Sequence, residues 1–258
     1  MKAVILAGGM GTRLAEETDR KPKPLVEIGG RPIIWHIMMI YSHYGINDFI
    51  VCLGYKGYLL KEYFSNLALH DSDVTIDLAN NSVEYHHAPR LPWRVTLVDT
   101  GLQTMTGGRI RRIGPYLDPG EPFCLTYGDG VGNVDVRASI DFHRRHGLLA
   151  TMTTVRPTAR FGSVSIVEGD RIASFEEKNP GSVPTTNGGW LVLDPGVLDF
   201  IEGDDTVWER QPLEQLAAKG QLAAFQHDGF WQPMDTVWEQ KYLEELWASG
   251  AAPWKVWS

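Results

Sequence analysis

The segment Lys2-Ala3-Val4-Ile5-Leu6-Ala7-Gly8-Gly9-Met10-Gly11-Thr12-Arg13-Leu14 opens the chain with a short apolar run that stops at glycines. Lys2–Ala7 is a short β-rich run, which reads as a strand ended by the glycines. Glycines directly after such a strand let the backbone approach a ligand and point N–H groups into a concavity, which suits phosphate. Two common phosphate fingerprints fail here. G-x-x-x-x-G-K-[ST] needs a lysine that does not follow, and G-x-G-x-x-G needs a glycine where Leu14 stands. What sets the loop apart is Arg13 beside the glycines. A second cationic stretch follows, Lys21-Pro22-Lys23-Pro24, whose prolines restrict where the lysines point. On these residues alone, a plain tight turn followed by a solvated basic stretch remains the alternative.

Outward from that loop, strand-like and helix-like segments alternate over the first 150 residues. Pro32 opens a helical pattern of Ile33, Ile34, Ile37, Met38 and Tyr41, and Gly45 is placed to end it. Phe49–Leu53 reads as a strand, Tyr58–Leu69 as a helix, Arg94–Val98 as a strand and Gly108–Leu117 as a helix. Phe123–Tyr127 reads as a strand, and Asp135–His146 as a helix with Asp135 as N-cap. This alternation predicts βαβ units and a mostly parallel, Rossmann-like α/β sheet flanked by helices. After residue 150 the rhythm changes. Ala150–Val155, Ser163–Val167, Arg171–Glu176 and Trp190–Leu193 follow closely, with Glu168-Gly169-Asp170 the clearest turn, and predict antiparallel strands added to the sheet. Helices near Gly196–Ile201 and Pro212–Ala218, a strand at Leu222–Gln226 and a helix at Thr236–Trp247 complete the pattern. The expected organisation is one domain over 1–258, with a first half at about 1–150 and an appended C-terminal half at about 151–258. Trp254 and Trp257 in the tail are expected to dock on the body or in a subunit contact.

Composition narrows the function classes. The chain has 258 residues, 43% hydrophobic, with nine each of Trp, Tyr and Phe, which excludes disorder. Two cysteines exclude a disulfide scaffold; Cys52 and Cys124 sit in apolar runs and read as buried thiols of a reducing cytoplasm. Acidic residues outnumber basic ones 32 to 24, which argues against nucleic-acid binding but not against a small phosphorylated ligand. No stretch approaches roughly 18 apolar residues, so no membrane span and no targeting signal is expected. A cytoplasmic homo-oligomer is the expectation.

The carboxylates carry a second signal. Asp129, in Leu125-Thr126-Tyr127-Gly128-Asp129-Gly130, follows an apolar strand, where ligands of parallel α/β sheets bind. It is placed to hold a cation, or else to make an Asx-turn. Asp235 lies between strand-like and helical patterns, and on the residues alone a helix N-cap describes it at least as well. The histidines make a poorer metal site: His86 and His87 face opposite sides of a strand, and His143 and His146 lack a cysteine partner.

G-G-x-G-T-R-L followed by K-P-K-P resembles the signature of the sugar-1-phosphate nucleotidylyltransferases. The continuation from Pro24 to Met38 is similar to one subgroup, the glucose-1-phosphate cytidylyltransferases. So are Leu97–Gly101, Met105–Gly108, Thr126–Gly130 and Phe230–Thr236. These spaced matches cover almost the whole chain and are far more specific than one glycine loop. The resemblance implies a nucleotide-diphospho-sugar transferase fold, with CTP and α-D-glucose 1-phosphate as partners and Mg²⁺ as cofactor. It implies Arg13 on the triphosphate, Lys23 on the α-phosphate, and Asp129 and Asp235 as Mg²⁺ ligands. The nucleotide would lie on Leu6, Ala7, Gly8, Gly9, Gly11, Thr12, Thr106, Gly107 and Gly128. Glu177 and Asn187 would bond sugar hydroxyls, Lys178 the sugar phosphate, and Gly188 would let the ring approach the backbone. Departures fall on the sugar side: Asn179 before Pro180, Thr186 for an aliphatic residue and Trp190 for a phenylalanine. They bear on the choice of sugar more than on the reaction. Two other readings are the same reaction with dTTP or another phosphorylated acceptor, and a catalytically silent nucleotide-sugar-binding relative. A nicotinamide oxidoreductase is disfavoured by Leu14.

Overall fold

The computed structural model describes residues 1–11, 14, 18, 21–86, 91–157, 163–167, 171–176 and 184–257, with the backbone alone for the two segments between 163 and 176. In chain order the strands are β1 (Ala3–Ala7), β2 (Glu27–Ile28), β3 (Arg31–Pro32), β4 (Asp48–Leu53), β5 (Asp73–Asp77), β6 (Ser82–His86), β7 (Arg94–Asp99), β8 (Phe123–Tyr127), β9 (Gly130–Gly132), β10 (Ala150–Val155), β11 (Ser163–Val167), β12 (Arg171–Glu176), β13 (Thr186–Leu193), β14 (Leu222–His227) and β15 (Trp231–Pro233). The α-helices are α1 (Ile33–His43), α2 (Gly57–His70), α3 (Thr106–Arg112), α4 (Val136–His146), α5 (Gln211–Ala218) and α6 (Val237–Ala248).

A seven-stranded sheet runs in the order β14-β10-β13-β8-β1-β4-β7. Every neighbouring pair is parallel except the two made by β13, which runs against both β8 and β10. The chain moves outward from β1 to β4 and β7, then returns to the other side of β1 as β8. That reversal opens a crevice beyond the carboxyl ends of β1 and β8, where open α/β sheets bind ligands. β1 is buried along its whole length. Its alternate residues feed two cores: Ala3, Ile5 and Ala7 pack with α1 on one face, and Val4 and Leu6 pack with Ile110, Leu213 and Leu216 on the other.

Local chemistry sets most boundaries. Asp135 caps α4 by accepting the Ala138 N–H at 2.8 Å, and Gly147, at φ 64°, ends that helix. Three expectations need correction. The helix foreseen over Gly108–Leu117 is α3 followed by a separate 3₁₀ turn, Gly114–Tyr116, because Pro115 lacks the N–H that would continue the ladder. The segment near Gly196–Ile201 is a 3₁₀ turn, Pro195–Phe200, entered through Pro195 and capped by Asp194. Among the described residues β11 and β12 pair with each other and not with the main sheet, which of the foreseen added strands β10 and β13 join. The turn at 168–170 lies outside the described residues. The hairpin β5–β6 was not foreseen; its turn is held by Asp77, which accepts the Ala79 and Asn80 N–H groups.

The tail docks on the body. Trp254 is fully buried, stacked on Phe230, and Trp257 packs edge-on against Trp35 of α1. Cys52 and Cys124 are free and buried, and burial pushes each thiol up to about 12. Among the described residues, no helix is long and apolar enough to cross a membrane.

Candidate active site

A cavity of about 320 Å³ opens at the switch between β1 and β8. The end of β1 supplies Leu6 and Ala7, and the loop after it supplies Gly8, Gly9 and Gly11. Glycine is required at two of these positions. A Cβ on Gly8 would lie 2.2 Å from the Arg109 guanidinium, and Gly11 adopts φ +64°. Gly128 and Asp129 close the cavity from the end of β8, and Thr104, Met105, Thr106 and Arg109 from the start of α3.

Lys23 enters from a 3₁₀ turn, Lys23–Leu25, that Pro22 and Pro24 hold in place. Its ammonium donates to Asp129 Oδ2 at 2.7 Å and to Asp235 Oδ1 at 2.6 Å. Two carboxylates distant in sequence therefore converge on one point at the cavity wall. The ribbon β9–β15 brings them there, with Gly130 opposite Pro233 and the Met234 N–H donating to the Asp129 carbonyl at 2.8 Å. Asp235 stands one residue before the N-cap of α6. The cap is Thr236, which forms a capping box with Glu239. The fully buried Glu239 carboxylate also accepts the Asp235 N–H at 2.8 Å, which fixes the backbone that carries the second acid.

The donor set suits a hard dication. Among the described residues no cluster of three or more His, Cys, Asp and Glu side chains is placed to hold a metal. The Asp129–Asp235 pair is what Mg²⁺ uses when phosphate oxygens and water complete its shell. The two acids and one ammonium sum to one negative charge, so a triphosphate there needs further cations.

A smaller cavity of about 80 Å³ lies on the other side of Tyr127, lined by Asn187, Gly188, Gly189, Trp190, Trp231 and Asp129 among others. Asn187 Oδ1 accepts the Gly189 N–H at 2.8 Å, and the Trp231 indole donates to the Gly188 carbonyl at 2.7 Å. A Cβ on Gly188 would lie 2.8 Å from Val155 and 3.0 Å from the Thr153 carbonyl, so the adjacent strand demands glycine there. Trp190 is buried and stacked on Tyr41, so its indole fills the core behind the cavity.

The sequence-predicted residues divide four ways. Lys23, Asp129, Gly128, Thr106 and the residues Leu6 to Gly9 and Gly11 surround one cavity, with Asp235 bonded to Lys23 at its wall. Asn187 and Gly188 line the neighbouring one. Gly107 faces away, its N–H donating to the Thr206 carbonyl at 2.9 Å. Thr12, Arg13, Glu177, Lys178 and Asn179 lie outside the described residues.

Arg109 and Tyr127 line the cavities and escaped the sequence reading. The Arg109 guanidinium donates to the Gly8 and Leu53 carbonyls and the Thr100 hydroxyl at 3.1, 2.9 and 2.7 Å, tying the glycine loop to the ends of β4 and β7. Burial pulls its pKa below the usual arginine value. Nothing in Arg109-Ile110-Arg111-Arg112 distinguishes it from its neighbours except helical phase. Tyr127 lines both cavities and donates its hydroxyl to Glu209. Burial, then the Glu209 charge, pushes the phenol far above its ordinary range.

A family model described as nucleotidyl transferase matches residues 2–239. The chain belongs to the nucleotidyl transferase family. Among its relatives in that family, the glucose-1-phosphate cytidylyltransferase of Salmonella typhi is 57% identical over 257 residues, covering 100% of both chains. The mannose-1-phosphate guanylyltransferase catalytic subunit beta of Dictyostelium discoideum is 30% identical over 90% of this chain and 60% of its own. The fold matches that of HddC from Yersinia pseudotuberculosis, with a TM-score of 0.69 at 22% identity, over 95% of this chain and 99% of that one.

Proposed function

We infer that this nucleotidyl transferase is a Mg²⁺-dependent glucose-1-phosphate cytidylyltransferase, forming CDP-glucose and pyrophosphate from CTP and α-D-glucose 1-phosphate. The observation that carries the reading is the full-length, 57% identity to a relative of that name. The convergence of Lys23, Asp129 and Asp235 beside a glycine-walled cavity supports the reaction class. A phosphate oxygen of the sugar attacks the α-phosphorus of CTP in line. The bond from that phosphorus to the bridging oxygen breaks, and pyrophosphate leaves with the electron pair. No protein nucleophile is needed, because such transfers depend on positioning and charge stabilisation.

In this reading the main-chain groups from Leu6 to Gly11, with Thr106, receive base and ribose. Lys23 stabilises charge growing on the α-phosphate, and Arg13 neutralises the departing pyrophosphate. Asp129 and Asp235 would hold Mg²⁺, whose charge would offset that of the phosphates. Asn187 and Glu177 orient the sugar hydroxyls, and Lys178 pairs with the sugar phosphate. The reading includes a homo-oligomer in the cytoplasm, a reducing compartment that suits two buried free thiols.

The test is a matrix of four nucleoside triphosphates against several sugar 1-phosphates, read as pyrophosphate release with the nucleotide-sugar identified by mass. CTP with glucose 1-phosphate should give the highest kcat/KM. A higher value for dTTP or for another sugar would replace the substrate assignment. Silence with every pair would overturn the enzymatic reading in favour of a binding role.

A further inference from the structure

Tyr127 is the wall between the two cavities. Its ring rests on Gly189, where a Cβ would come within 2.7 Å of it. Its hydroxyl donates to one oxygen of the Glu209 carboxylate. The other oxygen accepts the Thr106 hydroxyl at 2.6 Å, and Thr106 Oγ1 in turn accepts the Trp208 N–H at 2.9 Å. Thr106 lines the larger cavity, and Tyr127 itself lines the smaller one beside Asn187. A single chain of hydrogen bonds thus runs from the smaller cavity to the larger, with its proton directions fixed at Glu209.

The support beneath Glu209 is firm. Its loop binds the start of α3 through the Met105 N–H to the Asp204 carbonyl at 2.8 Å and the Gly107 N–H to the Thr206 carbonyl at 2.9 Å. Arg112 grips the Asp204 carboxylate with two bonds of 2.8 and 2.5 Å. The choice of residue type is informative. An acid beside a site for two phosphorylated substrates repels them, and a neutral acceptor would cost less if it served the fold alone. Only a carboxylate, all acceptor with two oxygens, takes a hydroxyl proton from each side at once. A glutamine offers one acceptor, so one of the two hydroxyls must turn its proton elsewhere.

We propose that Glu209 is a positioning residue that couples the two substrate cavities, setting Tyr127 for glucose 1-phosphate and Thr106 for CTP through its two carboxylate oxygens. The proposal rests on the substrate reading above, and Glu209 itself touches neither substrate.

The test uses the full chain and the isosteric Glu209→Gln variant, with Tyr127→Phe, Thr106→Val and their combinations with Glu209→Gln. Each variant's melting temperature is recorded with its KM and kcat. Glu209→Gln should raise KM for both substrates roughly tenfold, the equivalent of about 1.4 kcal/mol, with kcat changed less than about threefold. Tyr127→Phe should act chiefly on KM for glucose 1-phosphate and Thr106→Val on KM for CTP. In the Glu209→Gln background both should lose most of their effect, because coupled residues are not additive. A Glu209→Gln enzyme with a lower melting temperature but unchanged KM values would overturn the proposal, as would additive behaviour of the pairs. If Glu209→Gln does not fold, the Tyr127→Phe/Thr106→Val double variant carries the test, since it removes both hydroxyls and should raise both KM values. Failure of the underlying reading shows separately, as a wild-type chain that forms no CDP-glucose.

Discussion

The Lys23 ammonium sits where a metal ion held by Asp129 and Asp235 would also sit. It lies 2.7 and 2.6 Å from one oxygen of each acid. A magnesium ion binds carboxylate oxygens at about 2.0–2.1 Å, so both cations on the same oxygens would be pressed into mutual contact. Unlike a surface pair, this lysine is largely withdrawn from water, so screening relieves little of that repulsion. The expectation is competition: Lys23 and a dication would share the same two acids, and Lys23 would reach phosphate only when it leaves them. Lys23→Ala should lower turnover roughly 10²–10³-fold, the scale of one electrostatic stabiliser. The same variant should bind Mn²⁺ or Mg²⁺ more tightly than wild type without nucleotide, because the competing ammonium is gone. Calorimetric titration with metal alone checks this, and equal affinities would show that lysine and metal do not compete. Asp129→Asn should move metal affinity the other way.

At the scale of elements, the start of α6 does two jobs. The Thr236–Glu239 capping box satisfies helix N–H groups, and Glu239 also holds the Asp235 backbone. The α4 cap at Asp135 does only the first. Thr236→Ala and Asp135→Ala should therefore cost similar stability, about 1 kcal/mol each. Thr236→Ala alone should raise the Mg²⁺ concentration needed for half-maximal rate. Denaturant melts paired with Mg²⁺ titrations of rate separate the two, and an identical metal dependence in both variants would detach the capping box from the site. Element identity was largely legible in the sequence, because proline, glycine and cap residues act within a few positions of themselves. The α3 boundary shows the limit: Pro115 was visible, yet the apolar pattern running past it suggested one continuous helix. The hairpin β5–β6 carries no long periodic run, and its strands were passed over.

For the molecule as a whole, the C-terminal tail is a structural part of the core. Its Trp254 packs over His36, whose Nε2 lies 2.9 Å from the Ile28 carbonyl, and Trp247 and Trp257 crowd the same imidazole. Burial among these rings lowers the His36 pKa from 6.5 to about 4. The sign follows directly. Below pH 6.5 the unfolded chain binds a proton that the folded chain refuses until about pH 4, so stability falls as pH falls through that window. The slope from this one group is at most about 1.4 kcal/mol per pH unit. His36→Gln keeps a donor for the Ile28 carbonyl and removes the titration. Its melting temperature should depend less steeply on pH between 6.5 and 4 than that of wild type, and an unchanged slope would place the proton uptake elsewhere. His143, also lowered to about 4 by burial, adds to the same slope in both proteins.

The sequence by itself determined the parallel α/β alternation, the glycine loop after β1, the Asp135 cap and the family, because each is written in short-range pattern or in spaced motifs. It put Lys23, Asp129 and Asp235 at one nucleotide only through the family resemblance; the residues by themselves did not bring them together. Their meeting depends on β8 returning beside β1 and on β9 pairing with β15, and strand order is set by packing summed over the whole core. The same holds for Arg109, whose neighbours in sequence look alike and whose burial alone sets it apart. Glu209 acquires its partners only when a loop from the second half of the chain closes over α3. Side-chain period tells which face of an element a residue takes, but the partner across that face is chosen by tertiary structure.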